Sequence, residues 1–256
     1  MPQISNVAGK AAAPYARKKL GIVGGMGSRA GVRFLQLVVD QSPAITDQEF
    51  IEVIFHSNSS VPDRTEAILY EKESPLRELL RSVDLMNQQN VDYLVFACIT
   101  SYYYAGELQR EFSGVILNPF ESMKEELRFK YGSVGKAGIL ATTGTLKSGL
   151  FDRHFSEMDL KLVMLPAFEQ ENLFMKALYM KNGLKSAVIS DQARMYLRRA
   201  IPVLEKAGAE ILIGGCSEVF LGIEPSTLSI PYLDAMESLA KYTVKKCYVE
   251  SNQGVL

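Results

Sequence analysis

Tyr93-Leu94-Val95-Phe96-Ala97-Cys98 is an apolar run closed by a cysteine, and Ile211-Leu212-Ile213-Gly214-Gly215-Cys216 answers it 118 residues later. Runs that are apolar throughout, rather than alternating, suit parallel strands buried on both faces. Two more landmarks repeat at almost the same interval. Gly21-Ile22-Val23-Gly24 is echoed by Gly138-Ile139-Leu140-Ala141 at 117 residues. Pro119-Phe120-Glu121-Ser122-Met123 is echoed by Ala235-Met236-Glu237-Ser238-Leu239 at 116. A period this long indicates a duplicated domain rather than a solenoid.

Outward from these landmarks, short apolar runs alternate with amphipathic stretches. Residues 20–23 read as a strand that ends in Gly24-Gly25-Met26-Gly27, followed by a helix with Ala30, Phe34, Leu37 and Val38 on one face. Residues 50–56 read as the next strand, 57–64 as a polar turn, and 116–117 as a weak strand. Residues 74–89 read as a helix, with Ser74 as cap and Pro75 in the first turn. Strands that alternate with helices imply βαβ units. The expected fold is therefore α/β, with two pseudo-symmetric domains, each a mainly parallel sheet flanked by helices. Residues 1–18 are expected to be a loose extension, 19–118 with 230–256 the first domain, and 119–229 the second. Ligands in parallel α/β sheets sit beyond the carboxyl ends of the strands. Both Cys98 and Cys216 fall there, so facing domains would place the two thiols in one cleft.

Composition narrows the function. The 256 residues carry 28 Lys+Arg against 29 Asp+Glu, a net charge of −1, which gives no basic footprint for nucleic acid. No 18-residue apolar window predicts a membrane span, and the N-terminus lacks the apolar stretch of a secretory signal. Three cysteines in so long a chain read as reduced thiols, and cytoplasmic residence is the default expectation. With no Cys-x-x-Cys and only His56 and His154 as histidines, no metal site is expected. The glycine turn lacks Gly-x-Gly-x-x-Gly spacing, and His56 stands where a ribose-binding acid would end the next strand. That argues against a dinucleotide site and for amides facing a small anion at a helix start.

A free cysteine is most often a packing residue, and Cys247, on an expected C-terminal helix, fits that reading. Cys98 and Cys216 differ because both occupy one position of a repeat. Inverting a carbon stereocentre needs a base on one face and an acid on the other, and thiols serve either role. The carbanion formed between them must be stabilised by fixed donors and by exclusion of water.

These residues resemble the aspartate/glutamate/hydantoin racemase superfamily, and its aspartate racemase branch above all. The likeness runs from about Leu20 to Lys246. It rests on Gly24-Gly25-Met26-Gly27, Val61-Pro62-Asp63-Arg64-Thr65, Ala97-Cys98-Ile99-Thr100, Ala141-Thr142-Thr143-Gly144-Thr145, Tyr179-Met180-Lys181-Asn182-Gly183 and Gly215-Cys216-Ser217-Glu218. It implies an enzyme without a cofactor, with Cys98 and Cys216 as opposed catalytic groups, and a homodimer. It also implies that Arg64 meets one substrate carboxylate through its planar donor fork and Lys181 a second. Met26, Asn58, Thr100, Thr142, Thr145 and Ser217 would line the substrate, and Glu218 would contact it or tune Cys216.

The chain departs from the family pattern at Ile99, where the family usually has Asn, and at Ser28 and Tyr102, where it often has Pro and His. Ser217 replaces Thr conservatively. Ile99 removes a polar contact and so bears on specificity. The expected activity is interconversion of L- and D-aspartate or a related acidic amino acid. The alternatives are an isomerase or decarboxylase of a small dicarboxylic acid, or a non-catalytic module that binds acidic metabolites.

Overall fold

The structure is a computed structural model that describes residues 15–250. Two four-stranded sheets, parallel throughout, form its frame. The first contains β2 (Leu20–Gly24), β3 (Val53–Ser57), β4 (Tyr93–Phe96) and β5 (Val115–Ile116) in the order β3-β2-β4-β5. The second contains β6 (Lys136–Leu140), β7 (Lys161–Val163), β8 (Ile211–Gly214) and β9 (Tyr232–Asp234) in the order β7-β6-β8-β9. The two orders correspond strand for strand. The repeat read in the sequence is therefore a repeat of structure: β2 matches β6, and β4 matches β8.

Helices cover the faces. α1 (Ser28–Gln41) buries Ala30, Phe34 and Val38, while Leu37 on the same side is only half-buried. α2 (Arg64–Tyr70) starts on the last residue of the expected polar turn, where Asp63 caps it by accepting from the N–H groups of Thr65 and Glu66 at 2.8 and 3.0 Å. α3 (Leu76–Gln88) follows Pro75, and α4 (Ala105–Glu111) follows the turn after β4. α5 (Pro119–Lys130) is capped by Asn118. α6 (Thr143–Lys147) and α7 (Leu150–Phe155) follow β6. α8 (Ala167–Glu169) runs through a π-wound segment, Gln170–Met175, into α9 (Lys176–Tyr179). α10 (Asp191–Lys206) precedes β8, and α11 (Ala235–Cys247) follows β9.

Each domain lends its last helix to the other. α5 leaves the first sheet and sets Phe120 against Phe151, His154 and Phe155 of α7, with ring centroids 5.2, 4.5 and 6.3 Å away. α11 leaves the second sheet and packs on α1 and α5. One apolar cluster accordingly joins Leu20, Phe34 and Phe96 with Ile139, Phe151, Ile213 and Leu239. The crossing point corrects the expected boundary at 230. Residues 232–234 pair with β8, so the chain returns to the first domain only after Asp234. The expected loose extension is also partly ordered, since β1 (Tyr15–Arg17) pairs antiparallel with β10 (Tyr248–Glu250). The rest of that extension, 1–14, lies outside the described residues. Cys247 is wholly buried in the shared core, and burial pushes its thiol up to about 12.

Candidate active site

Parallel strands bring all their carboxyl ends to one edge, and both sheets turn that edge toward the same charged cluster. On the first side, Cys98 follows β4 and opens a tight 3-10 turn, Ile99–Tyr104. The turn is pinned by Ser101, whose hydroxyl donates to the Cys98 carbonyl at 2.6 Å, and by the Phe96 N–H, which donates to the Tyr102 hydroxyl at 3.1 Å. Ile99 is 1% exposed and presents only hydrocarbon.

Arg64, the first residue of α2, is buried beside Cys98. Its Nη2 donates to the Met26 carbonyl at 2.7 Å and its Nη1 to that of Pro62 at 2.9 Å. Its Nε is buried without a hydrogen-bond partner among the described residues. Burial disfavours the guanidinium charge, but Cys98 and Asp63 outweigh it and hold the Arg64 pKa above its ordinary value.

On the second side, Cys216 follows β8 in the position that Cys98 holds after β4. Its thiol donates to Glu218 Oε2 at 3.1 Å, and the Ser217 hydroxyl donates to the same oxygen at 3.0 Å. Burial, and then the Glu218 carboxylate, push the Cys216 thiol well up, with Lys185 opposing them. One thiol thus faces a guanidinium and the other a carboxylate.

Three hydroxyls join the two domains. Thr100 Oγ1 lies 3.1 Å from Thr142 Oγ1 and 2.8 Å from Thr145 Oγ1, which are 2.9 Å apart. Each can donate one bond and accept one around the ring. Nearby, Tyr179 donates to Asp63 Oδ2 at 2.8 Å. α2 and α6 meet so closely that a Cβ on Gly144 would lie 2.8 Å from the Thr65 Cα. A positive φ of 88° at Gly25 likewise lets the glycine turn press on the Asn58 backbone.

Not every expected residue faces this cluster. The Asn58 side chain is consumed by α3, donating to the Ser82 hydroxyl at 3.0 Å and the Glu78 carbonyl at 3.1 Å, and accepting from Arg81 at 3.1 Å. Lys181 is exposed. The lysine in the cluster is Lys185, which sits over the Tyr179 ring at 5.2 Å. Burial opposes its charge, but Glu218 overcomes this and raises its pKa despite Arg64 close by.

Lys185 and Gln170 are not among the residues the sequence points to, and Asp63 and Tyr179 enter there only as members of motifs, without a role at the site. Gln170 pins the loop after β6, donating to the Ala141 carbonyl at 2.9 Å. A signal for Lys185 does exist. Leu184 is the one large apolar residue between Lys181 and Ala187, and it is buried, drawing its neighbour inward.

A cavity of about 440 Å³ opens at the start of α1, with Gly27, Ser28, Arg29, Lys185, Ser186 and Glu218 in its wall. The thiols are not in that wall, and Glu218 links it to Cys216. Among the described residues, no group of three or more His, Cys, Asp and Glu side chains is placed to hold a metal. Among the same residues, no helix is long and apolar enough to cross a membrane.

A sequence profile of Asp/Glu/hydantoin racemases matches residues 23–243. The chain belongs to this family. Solved racemases share its fold. Picrophilus torridus aspartate racemase superposes with a TM-score of 0.77 at 23% identity, over 92% of this chain and 97% of that one. An aspartate racemase homologue from Pyrococcus horikoshii gives 0.68 at 20% identity, over 90% and 99%. Glutamate racemase from Francisella tularensis, in complex with D-glutamate, gives 0.62 at 12% identity, over 90% and 81%. The family's two-domain α/β architecture is the one described above, and the charged cluster of this racemase-family chain lies between its two sheets.

Proposed function

We propose that the protein is a cofactor-independent amino-acid racemase that interconverts L- and D-aspartate or a close acidic relative, using Cys98 and Cys216 as the two proton-transfer groups. The observation that carries this reading is the placement of two buried thiols at equivalent positions of two matching sheets, with Arg64 and Lys185 beside them. The aspartate racemase among the similar structures supports the choice of substrate.

In the proposed reaction, one cysteine, as thiolate, takes the α-proton. The C–H electron pair passes into the adjacent carboxylate, where Arg64 is the donor that stabilises the growing charge. The other cysteine, as thiol, delivers its proton to the opposite face. Each turnover leaves the thiols with exchanged protonation states, so the reverse direction starts from the state that the forward direction leaves. Lys185 takes the second carboxylate of the substrate, the role expected of Lys181.

Incubating purified protein with L-aspartate in D₂O, with no cofactor added, tests the reading. The expected result is deuterium at Cα together with appearance of D-aspartate. Absence of exchange with aspartate, glutamate and other acidic amino acids overturns it.

A further inference from the structure

Among the described residues, two buried polar atoms on the charged side chains of the cluster have no hydrogen-bond partner: Arg64 Nε, a donor, and Glu218 Oε1, an acceptor; Gln170 Oε1, at the loop after β6, is a third buried atom without one. Glu218 is 2% exposed, and its other oxygen is occupied by Cys216 and Ser217. A buried carboxylate oxygen left unpaired loses its hydration without compensation, so it calls for a donor. No hydrogen bond from Lys185 reaches it among the described residues, and Lys185 instead sits over the Tyr179 ring.

The position of Oε1 is well defined. It points at Gly27, where an added Cβ would come within 2.2 Å of it, and Glu218 is part of the wall of the 440 Å³ cavity at the start of α1. Ile99, at the head of the Cys98 turn, has no polar atom in its side chain to offer an amino group.

We infer that Glu218 Oε1 receives the ammonium group of the substrate, so that Glu218 makes the site select an amino acid over an amino-free diacid of the same length. This rests on the racemase reading and deepens it. The two unpartnered atoms then fit the two ends of a zwitterion, with carboxylate on the Arg64 side and ammonium on the Glu218 side. Glycine at 27 is what leaves room for the oxygen. Glu218 also holds Cys216 through Oε2, so one side chain positions both the amino group and the thiol beside it.

Calorimetric titration of L-aspartate and of succinate into the wild-type protein, Glu218→Gln and Gly27→Ala separates these roles, with thermal melts to verify folding. Wild type is expected to bind aspartate about 10- to 100-fold more tightly than succinate, the usual range for a hydrogen bond to a charged group. Glu218→Gln is expected to abolish that ratio by weakening aspartate while leaving succinate bound at least as well. Gly27→Ala displaces the same oxygen while leaving Glu218 in place, and is expected to narrow the ratio too, so it decides the matter if Glu218→Gln does not fold.

Equal binding of the two ligands by wild type, or equal weakening of both in the variants, overturns the inference. Deuterium exchange by wild type scores the racemase reading separately. Exchange with an unchanged ratio defeats the ammonium site alone, and a collapsed ratio without exchange defeats the racemase reading alone.

Discussion

Lys181 and Lys185 stand four residues apart in one irregular stretch, yet only Lys185 reaches the charged cluster. Lys185→Ala is expected to raise KM for acidic substrates by about 10- to 100-fold, the scale of a lost charge-assisted bond. Lys181→Ala should leave kcat/KM within about twofold, as surface changes usually do. Steady-state kinetics on both variants checks this. The cysteines are a different case at this scale. Cys98→Ala or Cys216→Ala is expected to cut racemisation by about 10²- to 10⁴-fold, the usual worth of a positioned acid or base, without loss of fold. Chiral chromatography of the product, beside a melting curve, measures both. The cysteines were legible because each closes the same apolar run in its repeat. Lys185 was far less legible, because the single apolar residue beside it, Leu184, marks a segment that turns inward but not which neighbouring side chain enters the cluster.

Two short helices meet at the domain junction, and their contact shows what periodicity cannot reach. α2 spans only Arg64–Tyr70 and α6 only Thr143–Lys147, too short for a hydrophobic stripe to declare itself, so neither helix is read from the sequence. Their crossing depends on Gly144 lying against Thr65. Gly144→Ala is expected to destabilise the protein by about 1–3 kcal/mol, the range for overpacking, and to lower activity by shifting the threonine ring. Chemical denaturation with parallel rate measurements tests this.

The cap of α2 also carries a pH dependence. Burial would raise the Asp63 pKa, but the Glu66 backbone N–H, Lys185 and Tyr179 outweigh it and hold the carboxyl below its usual 3.8. The folded protein therefore binds fewer protons than the unfolded chain. The stability contributed by Asp63 is present above pH 3.8 and is lost as the pH falls through the lower folded value. Stability of Asp63→Asn should accordingly be lower than wild type at pH 6, and the gap should narrow as the pH falls below 3.8 in denaturant titrations.

At the scale of the whole molecule, the exchange of α5 and α11 ties the two sheets into one unit. The first domain is completed by α11 and the second by α5, around an apolar cluster that includes residues of both. The second half also carries a cluster of its own around Phe174, Leu197 and Leu212, but the larger cluster is shared, so calorimetric unfolding is expected to show one transition, with van't Hoff and calorimetric enthalpies in agreement. Two separate transitions would show that the domains fold independently. By itself the sequence determined the duplicated α/β units, the strand runs and the two cysteines at matching strand ends. These follow from apolar patterning and chain punctuation, which act over a few residues. Only the tertiary structure decided which lysine joins the cluster, that Asn58 serves α3, where the chain returns to the first domain, and which buried oxygen is left for a ligand. Those outcomes depend on segments far apart in the chain converging under close packing, and no local interval along the sequence records that convergence.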